Sequence, residues 1–387
     1  MKQWLCGLVA ISLLASVAAG CGGKQESGQD AKEIRIGANF EMTGGVAQYG
    51  QSAANGIKLA VKEANAAGGI LGKQIALIVA DNKSEPAESA NAATKLITQD
   101  KVVALLGPAS SSNVLAALSV ASDYKVPLLT PTGTNPRITI ENGKLKEFAF
   151  RSCFIDPFQG TVMANFAAKE LMVKTAAIYY DSSSDYSKSL TQVFEESFAK
   201  NGGKVLAKEA FLQKDQDFKS ALTKLKASNA EVIYIPAYYE EVSKIVKQAR
   251  ELGITSPLLG TDGWDSPKLT EIAGAAALNN TFFSNHYSSQ GQDPRVQKFV
   301  ADYKQEYGQE PDTFAVLGYD GALMLIDAIK RANSTEPVKI KEALAQTRDL
   351  QVLTGVLSLD QNHDPVKSAV VVEMKDGKQT FKAKVNP

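Results

Sequence analysis

Strand and helix patterns alternate almost without a break from Ile34 to Gly260, and that rhythm leaves few architectures open. Ile34, Ile36, Ala38 and Phe40 alternate with Arg35, Gly37 and Asn39, the period of two that marks a strand, and the run ends at Thr43-Gly44-Gly45. Ile57, Ala60, Val61 and Ala64 then recur at steps of three and four, a helix stopped by Gly68-Gly69. The cycle continues with a strand over 75–80, a helix around Ala93, Leu96 and Ile97, a strand over 102–106, a helix over 113–124 and a strand over 126–130. It then restarts, with strands over 176–180, 205–211, 232–235 and 257–260, and helices over 190–200, over 218–227 and through Val242, Ile245, Val246 and Ala249. Parallel strands need crossovers of about a dozen residues, usually helical. The expected class is therefore α/β, with two doubly wound parallel-sheet lobes.

The tail supplies a strand from Phe282, an amphipathic helix over 296–307 and a long helix over 314–332. It is too short for a third sheet of the same build, so it is expected to complete the two lobes, with several chain crossings forming a hinge. The expected division is 33–155 with 285–357 in one lobe, and 156–284 with 358–387 in the other.

Lys2 precedes an apolar stretch over 4–19, shorter than the about 20 residues a bilayer span needs. Residues 1–20 read as a signal peptide. Ala18-Ala19-Gly20-Cys21 resembles the lipobox of bacterial lipoproteins, which marks Cys21 for lipidation and as the mature N-terminus. Simple cleavage after Val17-Ala18-Ala19 is the alternative. Residues 21–32 are mostly Gly, Ser, Gln and charged types, as in a flexible tether from a lipid anchor. The expected location is the extracytoplasmic face of a bacterial membrane.

Chemistry is hard to find. The 42 Lys+Arg balance 42 Asp+Glu, so no surface for nucleic acid is indicated. The three cysteines, Cys6, Cys21 and Cys153, exclude a disulfide framework. Phosphate-loop, dinucleotide, zinc-protease and Cys-x-x-Cys motifs are absent from the sequence. Of the two histidines, His363 reads as a turn residue and His286 as an exposed loop residue. These features argue against an enzyme and imply no cofactor and no metal.

Four clusters follow strand ends, where open α/β sheets place ligands. They are Gly107-Pro108-Ala109-Ser110-Ser111-Ser112, Thr130-Pro131-Thr132-Gly133-Thr134, Ala237-Tyr238-Tyr239-Glu240 and Thr261-Asp262-Gly263-Trp264. One of Ser110 to Ser112 is suited to cap the following helix, whose free N–H groups also favour an anion. Asp262 beside the Trp264 indole suits a cation with an apolar or aromatic remainder. Hydroxyls and an anion site on one lobe, opposed by an acid and tyrosines on the other, match a zwitterion.

Over nearly the whole chain after the tether, the sequence resembles type I periplasmic binding proteins, close to the branched-chain amino acid receptors of ABC importers. The resemblance is carried by Thr43-Gly44-Gly45 with Gln48-Tyr49-Gly50, by residues 64–70, by the Ser-rich turn, by Thr130-Pro131, and by Gly318-Tyr319-Asp320-Gly321-Ala322. It implies that Ser111 and Thr134 hold a ligand carboxylate, and that the Thr132 carbonyl, Tyr238 and Asp262 hold its ammonium. Tyr49, Tyr186 and Phe314 would line the side-chain pocket with Ala109, Ser110, Gly133 and Trp264. Asp262 stands where these receptors often have Glu, and Ser110 replaces a cysteine that some relatives pair near the Ser-rich turn. The implied activity is capture of an aliphatic or aromatic α-amino acid between the lobes by a monomer that delivers it to a membrane permease. An amide, urea or aromatic acid as ligand, or a receptor kinase as partner, is the alternative.

Overall fold

The computed structural model describes residues 33–287 and 293–386, so the signal peptide, Cys21 and the tether lie outside the described residues. β1 (Glu33–Phe40) is buried on both faces from Ile36 onward. Its period of two therefore separates two helix layers rather than core from solvent. Ile34, Ile36, Ala38 and Phe40 pack in one core, while Gly37 lies against Leu96 and Leu105 of another.

The chain continues through α1 (Ala47–Ala66), β2 (Gln74–Asp81), α2 (Pro86–Thr98), β3 (Ala104–Leu106), α3 (Ser111–Asp123) and β4 (Leu128–Thr130). A small hairpin, β5 (Ile140–Glu141) with β6 (Lys144–Leu145), precedes β7 (Ala149–Arg151). The first sheet has the order β2-β1-β3-β4-β7, every pair parallel.

The second lobe is built from α4 (Asp156–Asn165), β8 (Thr175–Asp181), α5 (Asp185–Lys200), β9 (Lys204–Phe211), α6 (Lys219–Ala227), β10 (Val232–Tyr234), α7 (Tyr239–Glu251), β11 (Leu258–Gly260), α8 (Pro267–Ala273) and β12 (Thr281–Asn285). The tail adds α9 (Pro294–Tyr307), α10 (Thr313–Ala332), α11 (Pro337–Ala345), the hairpin β13 (Leu350–Val352) and β14 (Gly355–Leu357), and then β15 (Ala369–Lys375) and β16 (Lys378–Val385). The second sheet runs β16-β15-β12-β11-β10-β8-β9.

Its core order, β9-β8-β10-β11-β12, repeats the winding of the first sheet. Each sheet reverses direction once, between β1 and β3 and between β8 and β10. Such switch points open a crevice beyond the carboxyl ends of the strands.

Two details depart from the sequence reading. The second sheet is not wholly parallel: β15 and β16 join it antiparallel, turning at Asp376-Gly377, where both residues have positive φ as a tight hairpin requires. The first sheet has a fifth strand, β7, three residues long and outside the strand–helix alternation read from the sequence.

The chain passes between lobes over 152–155, between β12 and α9, and between β14 and β15. Ionic groups tie the first and third passages together. The fully buried Arg151 lies 2.7 Å through Nε from Asp364 Oδ1 and donates to the carbonyls of Gly133 (2.8 Å) and Asn135 (2.9 Å). Lys367 donates to Ser152 O at 2.9 Å.

α10 returns to the first lobe and packs on α1 through glycines. A Cβ on Gly318 would stand 2.2 Å from Ala53 O, and one on Gly56 would stand 1.9 Å from Ala315 O. Gly318→Ala must push the helices apart, and we expect a loss of about 1–3 kcal/mol of folding stability in chemical denaturation. An unchanged midpoint would show that this contact yields freely.

Candidate functional site

The loops leaving β1, β3 and β4 face those leaving β8, β10 and β11. Gly107 starts the β3 loop with φ +89°, and a Cβ there would lie 2.3 Å from Asn39 O, so only glycine lets the turn sit so close to β1. The three serines that follow point three ways. Ser110 holds the N-cap position of α3 without a side-chain cap bond, and its hydroxyl donates to Glu41 Oε1 at 2.8 Å. Ser111 Oγ accepts from Asn135 N at 3.3 Å. Ser112 Oγ reaches the other lobe and lies 3.1 Å from Asp185 Oδ2.

Beside this N-cap, just ahead of the helix, lies Glu41, which the sequence reading did not single out. Its buried carboxylate accepts from the backbone N–H groups of Ala109 and Ser110, both at 3.0 Å, and from Asn113 Nδ2 at 2.8 Å. An acid placed one residue after β1 was the available signal.

On the second lobe, Asp262 opens a short 3-10 turn after β11 and is 4% exposed. Its Oδ1 lies 2.5 Å from Tyr186 OH, and its Oδ2 lies 3.0 Å from His286 Nε2. Tyr186 stacks on Tyr238 with ring centroids 4.8 Å apart. Burial raises the pKa of both phenols well above its ordinary value, reinforced by Asp262 for Tyr186 and by Asp156 for Tyr238, so both stay neutral. Tyr49 spans the lobes: its hydroxyl donates to Gly263 O and accepts from Tyr239 N (3.0 Å), while its ring stacks on Phe314 at 4.0 Å.

These groups enclose a cavity of about 10 Å³. The first lobe contributes Tyr49, Ala109, Ser111, Thr132 and Phe314, and the second contributes Tyr186, Tyr238, Asp262 and Gly263. That space holds roughly one water, so a larger guest requires the walls to part.

Four expected residues do not line the cavity. Ser110 is committed to Glu41. Gly133 is wedged against Val114, Thr130 and Ile138. Trp264 belongs to the core of the second lobe, fully buried, with Nε1 donating to Ile235 O at 2.9 Å and the indole seated against Gly260. Thr134 is buried as well, with its hydroxyl turned toward the Asp156 carboxyl and its carbonyl accepting from Asp156 N at 2.9 Å.

His286 overturns its reading as an exposed loop residue. It is 5% exposed and stacks on Phe154 at 3.5 Å. It stands one residue beyond β12 in the sheet's interior, a burial that no local pattern announces. His363 does occupy a turn, with φ +63° and its ring on Ala149 O. Among the described residues no cluster of His, Cys, Asp and Glu could hold a metal ion, and no helix is long and apolar enough to cross a membrane.

The sequence model of the family described as periplasmic binding protein matches residues 33–379. The chain belongs to the periplasmic binding protein family. This periplasmic binding protein is 28% identical over 334 residues to the leucine-, isoleucine-, valine-, threonine- and alanine-binding protein of Pseudomonas aeruginosa, covering 86% of this chain and 87% of that one. Among solved structures it is similar to the leucine-binding protein LivK of Thermotoga maritima, at 39% identity and TM-score 0.86, covering 92% of this chain and 99% of that one. The branched-chain amino acid transporter substrate-binding protein LivJ of Streptococcus pneumoniae, solved with isoleucine, gives the same identity and score over 92% of this chain and 100% of its own. The chain shares its two-lobed type I architecture with these solved structures.

Proposed function

We propose that this periplasmic binding protein captures an aliphatic or aromatic α-amino acid between its lobes and presents the closed form to the permease of an ABC importer. The observation that carries the reading is the facing of Asp262 by Ser111 and Thr132 across a cavity walled by Tyr49, Tyr186, Tyr238 and Phe314. Ser111 receives the ligand carboxylate, and Thr134, buried behind the cavity beside Asp156, is the second donor once the walls part. Asp262, the Thr132 carbonyl and Tyr238 receive the ammonium. Charge-assisted hydrogen bonds of roughly 1.5–3 kcal/mol each supply much of the approximately 8 kcal/mol behind micromolar affinity. The isoleucine bound by LivJ, at 39% identity, supports the same ligand class.

The lobes, 33–155 with 285–357 and 156–284 with 358–387, act as the two bodies of a hinge. Lipidation of Cys21 holds the monomer at the extracytoplasmic membrane face, with 21–32 as its tether.

Thermal unfolding with and without ligand tests the reading. L-leucine is expected to raise the midpoint, by an amount equivalent to about 2.7 kcal/mol at a hundredfold excess over Kd. Its deaminated counterpart 4-methylpentanoate is expected to do almost nothing. Equal stabilisation by both would defeat the assignment of an ammonium site.

A further inference from the structure

The proposed ammonium acceptor does not stand alone. Both oxygens of Asp262 are already engaged, Oδ1 by the Tyr186 hydroxyl at 2.5 Å and Oδ2 by His286 Nε2 at 3.0 Å. Each oxygen keeps a further lone-pair direction for a guest. A carboxylate only accepts, so a neutral His286 must carry its proton on Nε2. Its other nitrogen, Nδ1, is buried and has no hydrogen-bond partner among the described residues.

We propose that His286 is a positioning residue that holds Asp262 toward the ligand as a neutral, Nε2-protonated imidazole, so that capture of an ammonium group is coupled to keeping this imidazole uncharged. The proposal rests on the amino-acid reading above and names how that site is oriented and regulated. The geometry disfavours the charged form directly: an imidazolium carries a second N–H at Nδ1, and that donor would be buried without an acceptor. It would also place a cation beside Asp262 from within, in competition with the ligand's ammonium.

The ionic surroundings agree. Asp262 and Asp265, from the segment after β11, favour the imidazolium, while Lys367 on the third passage disfavours it, and Phe154 from the first passage covers the ring. Burial outweighs the acids and pulls the pKa of His286 below its ordinary value. Asp265 is itself engaged by Asn285 Nδ2 and Thr313 N, both at 3.0 Å. Asp156 is the other group near Asp262 able to titrate in this range, since burial lifts its carboxyl to about 7.

Two measurements decide the matter. The chain has only two histidines, so nitrogen-detected NMR resolves both imidazoles in the protein without ligand. His286 is expected as the neutral Nε2–H tautomer at pH 7.5, and added L-leucine should move its protonation to lower pH. An Nδ1–H tautomer overturns the proposal whether or not leucine binds.

Calorimetry with L-leucine supplies the second test. His286→Phe, which keeps the stack on Phe154 but lacks a donor, is expected to bind at least about tenfold more weakly at pH 7.5. His286→Gln, which keeps an N–H, should recover most of that loss. The wild type should lose affinity on acidification by as much as about tenfold per pH unit once the imidazole titrates, and His286→Gln should not share that fall. Wild-type affinity in His286→Phe, or an acid fall that survives in His286→Gln and disappears in Asp156→Asn, overturns the proposal. Absence of leucine binding by the wild type defeats the amino-acid reading instead, and the tautomer still reports on the pairing of His286 with Asp262.

Discussion

Asp262→Ala is expected to weaken L-leucine binding by about 2–5 kcal/mol, roughly thirty-fold to several thousand-fold, because an ammonium would be left desolvated without its counter-charge. The acid is almost wholly buried and held at both oxygens, so its carboxylate is fixed in place at the cavity wall. Asp262→Asn keeps the shape and removes the charge, and should fall between the wild type and alanine. Affinity for 4-methylpentanoate should be much less affected, since that ligand has no ammonium to lose. Calorimetry at pH 7.5 reads all three, and an alanine variant that binds leucine as the wild type does would remove Asp262 from the ligand's first contacts.

The second large effect concerns folding. Arg151 sits at the end of β7, has a fully buried side chain, and is paired at 2.7 Å with Asp364 on the third passage between lobes. Removing one member of a buried pair leaves the other charge uncompensated, so Arg151→Met is expected to cost about 3–5 kcal/mol in urea denaturation. Arg151 also donates to Gly133 O, Asn135 O and Thr139 Oγ1, which adds to the loss. Asp364→Asn should be costly too. The double variant should lose less than the sum, because the partners share one interaction. Additive losses would show that the two groups are stabilised separately.

The Arg151 network joins two of the three passages between the lobes. It ties the loop that carries Thr132 and Thr134 to the passages that connect the lobes. Loop position and hinge position are thereby coupled through one guanidinium.

Much of the fold was legible because it is written in local periods. α7 needed only Val242, Ile245, Val246 and Ala249 to announce itself, and all four are buried. β1, β2, β8 and β9 extend at most one residue at either end beyond the apolar runs that suggested them. β7, β13 and β14, at three residues each, escaped, whereas the equally short β3, β4, β10 and β11 were read from apolar runs in step with the strand–helix alternation. α5 begins at Asp185, five residues ahead of its reading, because Ser184 caps it by accepting from Ser187 N and its first turn is polar. The Gly318-Tyr319-Asp320-Gly321-Ala322 motif proved structural: Gly318 admits α1, and Asp320 anchors Leu353 N and Thr354 Oγ1 beside β13.

The site divided along the same line. Strand ends and small polar residues identified the four loops, and Ser111, Thr132, Tyr238 and Asp262 do line one cavity. Which way each side chain turns was not legible, since neighbours in sequence go to different partners. Ser110 and Ser111 separate toward Glu41 and Asn135, and Asp262 and Trp264 separate toward the cavity and the core.

Periodicity and turn chemistry act between residues a few positions apart, so the chain's own order was enough to specify two similarly wound lobes and the loops at their edges. The partnership of Asp262 with His286, of Ser110 with Glu41 and of Arg151 with Asp364 joins residues 24, 69 and 213 positions apart. Contacts of that span come into being only when strands are ordered in a sheet and the lobes close, because burial and long-range charge depend on what arrives from elsewhere in the chain.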